Sequence, residues 1–352
     1  MIHPFTGQVE QYYTIGRTKL SEKEFDVLNR KILYLLYQNS RYSPTQQAKI
    51  LKVNRETILY RIKKMREDKI LNGFVALLNH EALGLREYRV FFKLKTIGEE
   101  KSLIPLLFSL RTVVTINICT GSYDLVVAFW VKNDREFQGE FQQIIDHFHH
   151  LITLFDVVIG LERNSIGMRY LLNKDEFISP NRLQLHKGAT FLKELWQMKQ
   201  STEKYTLDAI DIKILKRINL HAEMPLHQLS RELSLSLFVV KKRMKEMIKA
   251  GVIKHFFPIV SVSKLGYHWW YVLIKCTKLN HASFLTYISQ HQNISWYIHL
   301  LGKWDYQISV YARDNAECHK VIAELRTTFA NHIVYYEVLV VFTQLKYIQR
   351  IE

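Results

Sequence analysis

Leu207-Asp208-Ala209-Ile210-Asp211-Ile212-Lys213-Ile214-Leu215 repeats, 182 residues on, the pattern of Phe25-Asp26-Val27-Leu28-Asn29-Arg30-Lys31-Ile32-Leu33. The same offset carries Arg61-Ile62-Lys63 onto Arg243-Met244-Lys245 and Leu83-Gly84 onto Leu265-Gly266. One residue then drops out, and at an offset of 181 Gly121-Ser122-Tyr123-Asp124 meets Gly302-Lys303-Trp304-Asp305. A period this long does not fit a solenoid. The chain reads as two copies of a two-domain unit, joined by a polar, mixed-charge connector over 164–204. Within the connector, Gly188–Gln200 is predicted helical, with Phe191, Leu192, Leu195 and Trp196 on one side.

Each copy opens with a helical half. Phe25, Leu28, Ile32, Leu35 and Leu36 fall at 3.6-residue spacing and make one buried stripe. Ser43 and Pro44 are a cap and a first-turn proline for a short second helix ending near Leu51. Lys52-Val53 is a tight turn, and a third helix runs from Asn54 to about Asp68 with Ile58, Ile62 and Met65 inward. Ile70 to Val75 then alternates like a short hairpin wing. The second copy repeats this with Leu226–Leu233, a turn at Ser234-Leu235, a helix over Ser236–Lys249 and a wing through Val252-Ile253. Three helices with a tight turn before the third, then a wing, is the winged helix-turn-helix pattern.

The other half of each copy mixes strands and helices. Tyr88–Thr96, Val113–Cys119, Tyr123–Val131 and Leu154–Leu161 are β-branched and aromatic, with helices predicted near Lys101–Leu110 and Arg135–His150. That βαββαβ order predicts a ferredoxin-like four-stranded antiparallel sheet with both helices on one face. The second copy repeats the order from Trp269 to Phe342. The fold class is therefore α+β. We expect an N-terminal arm over 1–20, winged helix-turn-helix domains over 21–80 and 205–262, and sheet domains over 84–163 and 266–348.

The composition narrows what such a chain does. It has 352 residues, 48% hydrophobic and 23% charged, which excludes disordered and collagen-like classes. Lys and Arg total 49 against 33 acids, a net charge of +16 that points to a polyanionic partner. The longest apolar run, Leu125–Val131, is far short of the ~20 residues of a membrane helix. The start, MIHPFTGQVEQYY, does not read as a signal peptide. Cys119, Cys276 and Cys318 form no CxxC pair and read as reduced thiols. A cytoplasmic protein without a membrane partner is the expectation.

The third helix of each head is the basic element. Lys49–Lys69 carries eight Lys or Arg against three acids, and Arg231–Lys254 seven against two. With the apolar positions turned inward, Asn54, Arg55, Thr57, Tyr60, Arg61 and Lys64 remain for a major groove, where Arg and Asn pair with guanine and adenine edges. In the second copy the candidates are Ser236, Lys241, Lys242 and Arg243. There Leu237 and Val239 replace Arg55 and Thr57. We therefore expect the first head to carry most of the sequence reading and the second mainly to clamp phosphates or pack on protein.

These residues resemble two fused copies of a leucine-responsive/asparagine-synthesis (Lrp/AsnC) transcription regulator. The resemblance rests on the L-D-x-x-D-x-x-I-L opening of 207–215, on Arg61-Ile62-Lys63-Lys64-Met65 preceding Ile70-Leu71 and Gly73-Phe74, and on Gly-x-aromatic-Asp in both sheet domains. The first copy departs from it at Phe25 and Asn29. It implies sequence-specific double-stranded DNA binding and sheet domains that pair face to face or edge to edge. It also implies a small effector such as an amino acid near Gly121, Tyr123 and Asp124 and near Gly302, Trp304 and Asp305, although some members of the family work unliganded. Tethering raises the effective concentration of one copy for the other, so an intramolecular pseudo-dimer is expected, with further homo-oligomers.

Two rival readings come from other classes. Siroheme decarboxylases of similar architecture show a His-Asn-Tyr stretch on the second strand and Asn-Leu-Trp-Phe on the third. The corresponding stretches here are Asn117-Ile118-Cys119 and Asp124-Leu125-Val126, then Trp296-Tyr297-Ile298-His299 and Asp305-Tyr306-Gln307, so only His299 nearly matches. An architectural DNA binder with little sequence choice would carry the same +16 charge. We expect no enzyme and no cofactor. His147, His149 and His150 lack companion ligands apart from Asp146 and read as a solvated helix end rather than a metal site.

Overall fold

The computed structural model describes residues 13–14, 25–96, 98–173, 176, 205–219 and 221–351. The helix predicted at Gly188–Gln200, most of the connector and most of the N-terminal arm lie outside the described residues. The chain divides into two compact units, each built from both copies. One comprises 21–84, 171–261 and 351–352; the other comprises 1–20, 85–170 and 262–350.

The first unit holds both helical heads. In copy one, α1 (Val27–Gln38) is capped by the Asp26 carboxylate, which accepts from Asn29 N–H at 3.0 Å. A Ser43–Gln46 capping box with Pro44 in the first turn opens α2 (Pro44–Leu51). Lys52 then adopts a left-handed conformation, φ 57°, which turns the chain sharply into α3 (Arg55–Glu67). Copy two gives α6 (Ala209–Ile218), α7 (Leu226–Glu232) and α8 (Leu237–Lys249), with Ser234 left-handed at φ 53° in the matching turn.

The predicted hairpin wings are corrected. Each copy supplies one strand, β2 (Leu71–Leu78) and β7 (Ile253–Val260), and the two pair antiparallel with each other, Val75 opposite Phe257. Phe74 to Leu78 are all buried, so this strand needs a partner with a matching apolar run, and the other copy provides it. Further bonds weld the heads. Arg41 donates to Ala222 O at 2.6 Å and to Met224 O at 2.9 Å, and His255 Nε2 meets Tyr37 O at 2.6 Å.

The second unit is a closed ring of strands. Copy one contributes β3 (Arg86–Leu94), α4 (Glu100–Ser109), β4 (Val113–Thr120), β5 (Leu125–Val131), α5 (Asp134–Phe148) and β6 (Ile152–Ser165). Copy two contributes β8 (His268–Cys276), α9 (His281–Gln290), β9 (Ile294–Leu301), β10 (Tyr306–Ala312), α10 (Asn315–Thr328) and β11 (Ile333–Tyr347). Each set orders its strands fourth-first-third-second. The long fourth strand then crosses over: β6 pairs with β9 through Ile159–Ser165, and β11 pairs with β4 through Val340–Tyr347. Eight strands therefore close on themselves, so the copies join edge to edge. The short strand β1 (Tyr13–Thr14) adds to β11.

Alternation sorts the side chains of β3. Val90, Phe92 and Leu94 pack with Leu103, Leu107, Phe137 and Ile144 of the covering helices. Glu87, Arg89 and Phe91 point to the opposite face, inside the ring, and all three are buried. In copy two, Val272 and Ile274 pack with Phe284, Ile288, Val321 and Leu325 in the same way.

Candidate nucleic-acid interface

In each head the turn sets α3 or α8 on the outside. Ile58 and Met65 are buried beneath α3, and Val240, Met244 and Met247 beneath α8. The opposite face of α3 exposes Arg55, Glu56, Leu59, Tyr60, Lys63 and Lys64, with Tyr60 at 66%. The predicted Asn54 is exposed at the helix start, where its side chain makes no cap bond. Thr57 is half-buried. Arg55 lies 3.4 Å from Glu56 and Lys64 3.0 Å from Asp68, both on the surface. Glu56, Leu59 and Lys63 share this face but were not among the sequence candidates. Their i, i+3, i+4, i+7 spacing with Tyr60 is the signal that would have found them.

Two candidates, Arg61 and Arg243, bond to the first helix of their own head. Arg61 donates to Asp26 Oδ2 at 2.7 Å and to Asn29 Oδ1 at 3.3 Å. Its counterpart Arg243 lies 2.7 Å from Asp208 and 3.6 Å from Asp211. The acidic N-terminus of the first helix thus holds the third helix in place. Burial raises the Asp26 carboxyl, but the Asn29 N–H and the Arg61 guanidinium outweigh it and hold the group below its ordinary value. Asp211, wholly enclosed, is raised, chiefly by burial.

On α8, Ser236 caps the helix by accepting from Val239 N–H at 3.2 Å, so its hydroxyl has a structural task. Lys241 and Lys242 are exposed, as is Lys245. Leu237 and Phe238 precede them, and Phe238 is 74% exposed.

The Gly-x-aromatic-Asp loops lie in the strand unit and are cross-braced between copies. Asp124 takes Lys93 Nζ at 3.0 Å and Leu94 N–H at 2.8 Å, while Asp305 takes Lys275 Nζ at 3.0 Å and Cys276 N–H at 2.6 Å. Both carboxylates are therefore committed to their own sheets. A Cβ on Gly121, at φ +136°, would come within 3.0 Å of Val338 O, and one on Gly302, at φ +140°, within 3.1 Å of Val158 Cγ1. Each loop is thus packed against the fourth strand of the other copy. Buried Tyr123 donates its hydroxyl to Asp156 at 2.6 Å and receives Lys303 Nζ at 2.9 Å. In the matching place Ser122 bonds Glu337, and buried Trp304 stacks on Tyr335 with centroids 5.5 Å apart.

Two polar groups, one buried and one half-buried, were not legible in the sequence. Inside the ring, Glu87 accepts from Arg89 Nε at 2.7 Å and Trp130 Nε1 at 2.8 Å, with Arg163 at 3.7 Å, and Arg89 also reaches Gln307 of the other copy at 3.3 Å. At the seam between β6 and β9, Glu162 accepts from Tyr297 at 2.8 Å and lies 3.4 Å from His281 Nε2. His281 stacks beside His299, centroids 4.6 Å apart, and burial lowers the His299 pKa. Among the described residues no group of three or more His, Cys, Asp or Glu is placed to hold a metal ion. Nor is any described helix long and apolar enough to cross a membrane.

Comparison with known proteins matches the winged helix-turn-helix DNA-binding family to residues 25–71 and again to 207–254. An uncharacterized HTH-type transcriptional regulator of Pyrococcus furiosus is 36% identical over 105 residues, 30% of this chain and 70% of its own. The HTH-type transcriptional regulator FL11 of the same organism is 27% identical over 135 residues, 37% of this chain and 89% of its own. Both alignments are shorter than one 182-residue repeat. Over the whole chain, the crystal structure of the siroheme decarboxylase NirDL shares the fold, with a TM-score of 0.59 and 11% identity over 92% of this chain and 94% of its own. The two heads are thus winged helix-turn-helix DNA-binding domains, and the chain belongs to the HTH-type transcriptional regulators, with that DNA-binding unit present twice in one polypeptide.

Proposed function

We propose that this regulator binds one DNA site made of two unlike halves, read by α3 and α8 of a single chain in the cytoplasm. The observation that carries this reading is the ladder between β2 and β7, which joins two divergent heads in one unit. On α3, Arg55, Tyr60 and Lys64 are the groove-facing groups we propose, together with Asn54, Thr57 and the exposed Glu56. On α8 they are Lys241 and Lys242. Arg61 and Arg243 are positioning residues, because their guanidinium groups are spent on the first helix. The heads fall at 21–80 and 205–262 and the sheet domains at 84–163 and 266–348.

For a small effector such as an amino acid, the second loop is the better candidate. Trp304 is fully buried, and its Nε1–H has no hydrogen-bond partner among the described residues. A carboxylate acceptor would satisfy it. Asp124 and Asp305 shape their loops rather than touch an effector. We read the chain as non-catalytic and as associating into homo-oligomers through its strand unit.

Footprinting on genomic fragments at about physiological salt with excess competitor DNA tests the reading, since bare affinity does not separate specific from non-specific binding. The reading predicts a defined protected site that Arg55→Ala loses. Diffuse, salt-sensitive coverage would indicate an architectural binder. Absence of binding would redirect attention to the seam holding His281, His299 and Glu162.

A further inference from the structure

We infer that α8 reads thymine, through the C5-methyl groups that Leu237 and Phe238 touch in the major groove. The inference rests on the DNA-binding reading above and adds what the second half-site contains.

Phe238 is the most exposed large apolar side chain among the described residues, and Leu237 beside it is 37% exposed. Neither serves the core, because Val240, Met244 and Met247 already fill the inner face of this helix. Nor does either cap the helix, since Ser236 does. Leaving a phenyl ring in water forgoes the free energy of its burial, so an apolar surface that meets it in the bound state is favoured.

Its position says which surface that is. At 100° per residue, Phe238, Lys241, Lys242 and Lys245 share one face of α8, and all are exposed. An apolar tip followed by cations matches a groove floor flanked by phosphates better than it matches a protein surface. The helix is also the second of a helix-turn-helix, whose N-terminal residues face base edges. Of the groups on the major-groove floor, the thymine methyl is the apolar one. In copy one the same two positions are Arg55 and Glu56, suited to guanine and cytosine edges. The two heads thus carry opposite chemistry at matched positions, and a single chain distinguishes the orientation of its site.

The test uses the full chain and a duplex carrying the footprinted site, with deoxyuridine replacing thymine in one half at a time. This removes the methyl while leaving base pairing intact. Each methyl buried against Leu237 or Phe238 is expected to be worth about 4-fold in affinity. Substitution in the α8 half should weaken binding by that factor per contacted methyl, and substitution in the other half by less. Phe238→Ser with Leu237→Ser should weaken binding to thymine DNA equally and abolish the effect of deoxyuridine. Because both positions are exposed, the variant keeps its core, and an unchanged thermal transition checks this. Equal affinity for thymine and deoxyuridine DNA at an intact footprint overturns the inference while leaving the DNA-binding reading standing. So does a deoxyuridine effect that persists in the variant, or a variant whose only change is a smaller assembly without DNA. No footprint at all overturns both.

Discussion

At the scale of single residues, chemistry legible in the sequence and its use in the fold part company at Arg61. A basic residue on the third helix reads as a groove contact, yet the Asp26 carboxylate and the Asn29 amide hold it. Arg243 repeats the arrangement with Asp208 and Asp211, which gives the L-D-x-x-D opening its physical sense. The first Asp caps a helix, and both acidic positions anchor the reading helix. Arg61→Ala should therefore lower head stability by about 1 kcal/mol, a half-exposed pair being worth no more. It should leave the ranking of competing DNA sequences unchanged, whereas Arg55→Ala alters that ranking. Thermal melts and competition binding on the two variants separate these effects; a changed ranking in Arg61→Ala would contradict the anchoring role. Asp124 and Asp305 teach the same lesson, since their motif position was legible but their commitment to Lys93 and Lys275 was not.

At the scale of elements, local signals were readable and cross-copy ones were not. Helix starts carried by Asp26, Ser43 and Ser236, and the turns at Lys52 and Ser234, depend on neighbours in sequence. The fourth strand, expected to end at Leu161, runs to Ser165 because Ile159–Ser165 pairs with β9 of the other copy. β11 likewise runs past Phe342 to Tyr347, along β4. The partner of the wing strand was missed for the same reason: Leu71–Leu78 pairs across copies, a contact that no local pattern encodes. His255 on β7 gives this weld a pH signature. Its ring packs by Tyr37 and Phe257, its Nε2 bonds Tyr37 O, and burial lowers its pKa from 6.5 to about 4. Between those values the unfolded chain binds the proton and the folded head does not, so stability present above about pH 6.5 is lost as pH falls toward 4. The melting midpoint should drop by several degrees from pH 7.5 to pH 5, and His255→Gln, which keeps a donor for Tyr37, should flatten that slope. An equal slope in the variant would rule out His255 as its source.

At the scale of the whole molecule, duplication followed by divergence has made the pairing of copies directional. Arg89 of copy one reaches Gln307 of copy two inside the ring. Pairing copy one with another copy one would place Val126 there, at the 181-residue offset, and take that acceptor from a buried guanidinium. Removing a partner from a buried charge is costly, so unlike copies pair in preference to like. The tether favours the same outcome by raising the effective concentration. Two unlike heads follow, Arg55 and Glu56 on one and Leu237 and Phe238 on the other, held in one unit by β2 and β7. The most direct test is selection of bound duplexes from a random DNA library by the full chain at about 0.15 M salt, with the enriched sequences aligned. The account predicts one motif of two different halves in fixed spacing and orientation, one half altered by Arg55→Ala. A palindromic motif, or enrichment of no motif, would contradict it.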